Sequence, residues 1–282
     1  MEKSIKRYMP IFVLPTFFAF ILGFIVPFIM GIWLSFCKFT TVTDAKFVGF
    51  SNYIEALKDT AFRHSFWYTV LFAIASLLII NIIAFALAMA LTKEMHGTNV
   101  FRTVFFMPNL IGGIVLGYIW QLIFNGVLSR YGTALALNEW YGFWGLIILV
   151  SWQQIGYMMI IYIAGLQSIP GDIIEAAEID GAAKWDILWK IRVPMVMSSI
   201  TICVFLTLTN SFKLFDQNLA LTGGDPNHAT EMLALNIYQT FYARAGMQWK
   251  GYGQAKAVIF CVLVIIISLV QLKATRSKEV QQ

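Results

Sequence analysis

The chain has 282 residues, of which 59% are hydrophobic and 12% charged, with a net charge of +5 and a mean hydropathy of +0.72. Water-soluble domains carry about 25% charged residues, so a soluble core is excluded and the solvent for this much apolar surface is lipid. The positive charge alone would suit nucleic acid, but Lys and Arg are scattered at the ends of apolar runs and form no basic stripe, so membrane topology explains them.

A spanning helix needs about 20 mostly apolar residues. Stretches free of Asp, Glu, Lys and Arg cover residues 8–37, 64–92, 103–129, 140–171, 193–212 and 257–272. They predict six membrane helices, the last extended outward through Gly253 with Lys256 snorkelling to the interface. Lys3, Lys6 and Arg7 precede the first run as in a signal peptide, but the run is too long and lacks a small-x-small site, so it is expected to stay as the first span. The runs are continuously apolar rather than alternating, which excludes a barrel, and backbone in lipid must bond internally, so the fold is expected to be all-α. Six spans put both termini on one side. Basic residues are denser there, so the positive-inside rule makes that side cytosolic.

Within the spans, Pro10, Pro15 and Pro27 predict kinks or an interfacial start in the first. Gly112, Gly113 and Gly117 in the third would let another helix approach closely. Polar groups inside spans are functional suspects. For Asn81 and Gln121 interhelical hydrogen bonding is the favoured reading. Trp152, Gln153, Gln154 and Tyr157 in the fourth span, with Asn210 and Ser211 in the fifth, supply the amides, hydroxyls and aromatic faces that bind sugars, and are the candidate substrate path. Lys213 and Asp216 follow at i, i+3, a spacing at which they could pair. Cys37, Cys203 and Cys261 have no metal-like spacing and read as small hydrophobes; His64, His96 and His228 lie far apart and read as solvated. There is no phosphate-cradling G-x-x-x-x-G-K-[ST] loop and no catalytic or metal constellation.

The most informative segment is a polar island, residues 175–194, EAAEIDGAAKWDILWKIRVP. Two helix-forming pieces, residues 173–179 and 182–191, are separated by Asp180-Gly181, where Gly permits a sharp turn that a side chain would block. Glu175, Glu178 and Asp180 are read as sitting near the start of the first piece, favoured by the helix dipole. Trp185, Ile187, Leu188 and Ile191 are read as an apolar docking anchor.

This string resembles the EAA loop (E-A-A-x-x-D-G-A, a spacer, I-x-x-P) of the membrane subunits of ABC importers. Further pieces fit in order along the chain: Phe47-Val48-Gly49 with Asn52-Tyr53, Phe101-Arg102 with Phe106-Met107-Pro108, residues 164–170 (AGLQSIP), Phe215-Asp216, residues 221–226 (LTGGDP) with Ala229-Thr230, and residues 251–255 (GYGQA). The chain thus resembles the first permease subunit of carbohydrate importers, of the maltose, multiple-sugar and glycerol-phosphate type. It departs from the pattern at Leu188, where an aromatic is common, at Ser198-Ser199, where a second Pro is frequent, and at Asp225, where a third Gly is usual.

The resemblance implies a six-helix type I importer permease fold in a bacterial plasma membrane, with a cytosolic EAA loop at about 172–194. It implies a first helix and outer loop over 1–64, a core over 65–273 and a cytosolic tail over 274–282. Glu175, Ala176, Ala177, Asp180, Gly181, Ala182, Trp185, Ile191 and Pro194 would seat in a groove of an ATPase. Expected partners are a homologous permease subunit, two ATPase subunits that bind ATP and Mg2+, and an extracellular solute-binding protein delivering sugar; this chain itself would hold no cofactor and perform no catalysis. A glycerol-phosphate or polyol cargo is the alternative. A gradient-driven transporter would want an acidic residue deep in a span, and the apolar runs contain none.

Overall fold

The computed structural model describes residues 11, 13–92, 97–244 and 246–276. Lys3, Lys6, Arg7, Pro10 and His96 lie outside these. The described residues fall into two compact units, one drawn from 1–59 and 237–261, the other from 60–236 and 262–282.

In the first unit, helix α1 (Val13–Ser35) carries a π-helical segment, Ile21–Ile25, immediately before Pro27. Proline lacks an N–H and its ring clashes with the carbonyl four residues back, here Gly23, so the local widening is the relief of that clash. A two-stranded antiparallel ribbon, β1 (Cys37–Lys38) and β2 (Lys46–Phe47), precedes helix α2 (Ser51–Lys58). The connecting turn is fixed by Asp44, whose Oδ1 accepts from the Thr40 and Thr41 amides, and those bonds hold its carboxyl below the usual range. Buried Asn52 donates to the Ser35 and Cys37 carbonyls at 2.8 and 2.9 Å. A Cβ on Gly251 would fall 1.8 Å from the Cys37 carbonyl oxygen. The motif pieces around Asn52 and Gly251 therefore meet in this unit and are packing devices.

In the second unit, α3 (Thr60–Leu91) packs along α6 (Glu139–Gln167) and α9 (Met197–Phe212). The buried stripe of α3 is Thr69, Phe72, Ser76, Ile80, Ala84, Ala88 and Leu91, stepping three or four residues and rich in small side chains. Lipid supplies no hydrophobic drive between helices, so close van der Waals approach of small residues does. At the centre Asn81 joins all three helices: it accepts from Tyr162 Oη at 2.7 Å and donates to Thr207 Oγ1 at 3.2 Å and the Leu77 carbonyl at 2.8 Å. Gln121 donates to the Leu221 carbonyl at 3.0 Å. Both amides are interhelical glue.

Among the described residues, four helices are long and apolar enough to cross a membrane: α1, α3, α6 and residues Gln248–Thr275 of α11 (Met247–Arg276). The other two expected spans are broken. α4 (Thr98–Phe106), with a 3-10 turn over Met107–Leu110, meets α5 (Gly113–Leu128) at 99°. Helix α8 (Lys184–Met195) meets α9 at 71°. Counting each bent pair as one span gives the six expected. The first break falls where Pro108 restricts the preceding turn and Ile111-Gly112 run extended. The expectation for Gly113 and Gly117 is met: added Cβ atoms would lie 2.7 Å from Asp216 Cβ and 2.6 Å from Ala220 Cβ, on α10 (Asp216–Leu221), whereas Gly112 faces open space. Ser199, in the region where a second proline is frequent, is buried against α6, 2.2 Å from a Cβ built on Gly165.

One expectation fails outright. Lys256 does not snorkel. It is fully buried in the first unit, 2.8 Å from Asp59 Oδ2 and 3.0 Å from Thr240 Oγ1, with its ammonium 4.6 Å from the Tyr252 ring centre. A carboxylate, a hydroxyl and a ring face placed around it replace the water it would otherwise seek.

Candidate functional site

Two places on the second unit collect the residues singled out above. The first is the polar island. Helix α7 (Gly171–Ile179) ends in a Schellman turn: the Ala182 amide donates to the Ala177 carbonyl and the Gly181 amide to the Glu178 carbonyl, at 3.0 and 3.1 Å, with Gly181 at φ +79°. A Cβ at Gly181 would meet nothing within 4 Å. The constraint there is the left-handed backbone and not, as expected from sequence, lack of room. Helix α8 then starts at Lys184 and widens to a π-helix over Ile187–Arg192 before Pro194, repeating the arrangement before Pro27.

Glu175, Ala176, Asp180, Gly181 and Trp185 are exposed, and Ala177, Ala182, Ile191 and Pro194 half-buried. Two expectations change. Glu178 and Asp180 stand at the C-terminal end of α7, where the helix dipole opposes anions; the acidic residue of the first turn is Asp172. Ile187 is buried within the chain, whereas the large apolar side chains presented outward are Ile179 (85% exposed), Trp185 and Trp189, the two indoles edge to face at 5.8 Å. Ile179 and Trp189 were missed because a pattern of apolar positions does not say which face is covered. Lys190 clasps Asp186 at 2.7 Å and holds its carboxyl below the ordinary range. A groove of about 480 Å3 runs beside this segment, lined by Met89, Glu178, Lys184, Trp185, Leu188 and Arg192 among others.

The second place is a polar cavity of about 330 Å3 at the α4–α5 break, lined by Asn109, Gln153, Gln154, Asn210, Lys213, Asp216 and Gln217 with Leu214 and Phe215. Gln153 organises it: Nε2 donates to the Ile111 carbonyl, freed by the break, at 3.1 Å, and Oε1 accepts from Gln217 at 2.8 Å. Irregular backbone at membrane depth is tolerated where such partners and a cavity exist. Gln154 Oε1 is buried with no partner.

Of the sequence candidates, Gln153, Gln154 and Asn210 converge here. Trp152, one residue before Gln153 and so about 100° round the helix, packs edge-on against Trp120 at 5.6 Å; Tyr157 lies 6.4 Å from Phe106. Ser211 is buried away from the cavity, its hydroxyl unpartnered. Lys213 and Asp216 both line the cavity but form no ion pair: the helix ends at Lys213, so the i, i+3 geometry is lost. Asn109 and Gln217 were missed, because the break in the third span brings the one, and packing of α10 the other, beside α6. Buried Asn218 was missed too; it fixes the following loop by donating to the Thr230 carbonyl at 2.8 Å and accepting from the Met232 amide at 3.0 Å. His64 and His228 are exposed but partnered, by the Ala229 carbonyl at 2.9 Å and by Glu231 at 3.0 Å. The cysteines are free thiols, Cys37 and Cys203 buried and Cys261 half-buried.

Long apolar helices, one span broken beside a polar cavity, and an outward-facing helix-turn-helix describe a membrane component of a transport system. The chain belongs to the family of binding-protein-dependent transport system inner membrane components, which it matches over residues 97–274. It is 42% identical over 96% of its length, and 94% of the relative's, to a probable starch degradation products transport system permease protein of Thermoanaerobacterium thermosulfurigenes. It is 32% identical, over 91% of both chains, to the multiple sugar-binding transport system permease protein of Streptococcus mutans. In fold it superposes with a TM-score of 0.81, at 19% identity and over 98% of both chains, on a bacterial ABC transporter structure involved in the import of the acidic polysaccharide alginate.

Proposed function

We propose that this chain forms half of the translocation path of an ATP-driven, binding-protein-dependent carbohydrate importer. The observation that carries the reading is the 42% identity along almost the whole chain to a starch-degradation-product permease. The cargo passes the cavity of Gln153, Gln154 and Asn210, joined by Asn109 and Gln217, whose amides both donate to and accept from sugar hydroxyls while Phe215 offers a ring face. Trp152 and Tyr157 hold α6 against α5 and the end of α4.

A second, homologous permease subunit closes the path. On the cytosolic side, shared with both termini, the exposed face of Glu175, Ala176, Asp180 and Trp185 seats on an ATPase subunit, with Ala177, Gly181, Ala182, Ile191 and Pro194 shaping the turn. Two such ATPases bind ATP and Mg2+, and this chain binds neither. ATP-driven approach of the two ATPases favours the outward-facing arrangement, and a solute-binding protein loads it there; differential affinity for the two states drives the cycle.

A glycerol-phosphate cargo is the second reading, favoured by Lys213 at the cavity; Asp216 on the same wall opposes an anion. Purification from the native membrane in mild detergent, with mass spectrometry of the co-purifying chains, tests the assembly. The expected result is a second permease, an ATPase and a binding protein whose ligand is a saccharide. Recovery of the chain alone or as a homodimer sinks the reading, and a binding protein selective for glycerol phosphate transfers it to the second.

A further inference from the structure

At the end of the second unit where both α3 and α6 begin, remote in sequence from the EAA-like loop, lies a half-open cavity of about 230 Å3 that the transport reading does not use. Its walls are Trp67, Tyr68, Trp140 and Phe143, with His64 and Glu139 at the rim. The rings form a continuous chain: His64 to Tyr68 at 6.3 Å, Tyr68 to Phe143 at 5.7 Å, Phe143 to Trp140 at 5.8 Å. Among the described residues, no Lys or Arg lines it.

The polar groups here can each accept from a cationic donor. Glu139 is an acceptor only when ionised. His64 Nε2 lies 2.9 Å from the Ala229 carbonyl, which can only accept, so Nε2 carries the hydrogen and the neutral ring keeps Nδ1 as an acceptor. The Tyr68 hydroxyl is buried with no hydrogen-bond partner among the described residues. Aromatic faces around a carboxylate are the chemistry that holds ammonium groups.

The cavity also opens onto an apolar surface of the right length for acyl chains. Trp67, Leu71, Ile74 and Leu78 step down α3 at helical spacing, and Trp140, Trp144 and Ile148 do so along α6; all are exposed. A soluble sugar or free amine has no use for that stripe, whereas a lipid uses both ends.

We propose that this cavity binds the ammonium headgroup of a membrane phospholipid, with its acyl chains along the α3–α6 stripe. The full chain, in the assembly in which it purifies, is placed in nanodiscs of equal phosphatidylethanolamine and phosphatidylglycerol with matched acyl chains. After transfer to detergent, native mass spectrometry counts retained lipids. Phosphatidylethanolamine is retained preferentially, and Glu139→Gln or Trp67→Ala each reduces its retention about tenfold, the scale of a desolvated cation–ring contact. Leu122→Ala, on the exposed face of α5, changes nothing. Equal retention of the two lipids, or retention unaffected by both variants, overturns the proposal. Displacement of the retained lipid by a maltooligosaccharide overturns it in favour of a carbohydrate subsite. Lipid counting needs no transport, so this result stands apart from the cargo experiment.

Discussion

Replacing Lys256 by Met tests the buried charge of the first unit. The substitution keeps an unbranched side chain of similar length and removes only the ammonium. Asp59 Oδ2 then loses its cation at 2.8 Å while still accepting from Tyr252 Oη at 2.6 Å. The Lys256 side chain is fully buried and that of Asp59 is 17% exposed, so solvent compensates little. Removing one partner of a buried pair costs about 3–5 kcal/mol. At roughly 2–4 °C per kcal/mol for a chain approaching this size, the unfolding midpoint falls by about 10 °C, read by tryptophan fluorescence in mild detergent. Asp59→Asn alone also destabilises, by removing the carboxylate charge beside the buried ammonium. The double variant Asp59→Asn, Lys256→Met loses less than the sum, by a coupling of about 1–3 kcal/mol. A single Lys256→Met midpoint within about 2 °C of the parent, or strict additivity in the cycle, refutes the assignment of this pair as a structural clamp.

Four further outcomes follow from the geometry. Gly156→Ala places a Cβ 1.9 Å from the Phe105 carbonyl oxygen and drives α4 off α6, so detergent-stable protein is lost, whereas Gly171→Ala, facing open space, leaves yield unchanged in size-exclusion chromatography. Gly181→Val forces a β-branched residue to φ +79° and abolishes sugar uptake, whereas Gly181→Asn, tolerant of the left-handed region, keeps most of it; equal uptake by both removes the turn from the coupling role. Gln154→Ala and Asn210→Ala lower uptake of the saccharide by about tenfold without loss of ATPase co-purification, the scale of one or two lost hydrogen bonds, and unchanged uptake in both moves the path away from this cavity. Asp186, depressed by Lys190, contributes to α8 above the ordinary carboxylate range and loses that contribution as pH falls through its lowered value; its carboxyl chemical shift titrates below that of a free Asp, and Lys190→Ala raises that midpoint.

What the sequence makes legible here, and what it leaves hidden, divides along physical lines. Composition and run length identify α3 and α6 as spans because lipid demands long uninterrupted helices, and that demand is written residue by residue. Asp180-Gly181 is legible for a similar reason: a left-handed turn is a local property, and few residues adopt it. Asn81 and Gln121 read correctly as glue because a polar group in lipid must find a partner nearby. The breaks are harder. Residues 103–129 carry no charge and read as one span, yet Pro108 and Ile111-Gly112 split them, and contact with Gln153 makes the split tolerable. Everything downstream of that break is hidden with it: Asn109 and Gln217 enter the cavity, and Trp152 and Ser211 turn away, because a helix face is chosen by what packs against it. Lys256 shows the limit most sharply. Snorkelling is the cheapest fate for a lone lysine near a membrane boundary, and nothing within its own helix predicts Asp59, which lies 197 residues away in the chain. Periodicity reports which residues share a face; it carries no information on which distant carboxylate will meet that face, and function in this fold is assembled from such meetings.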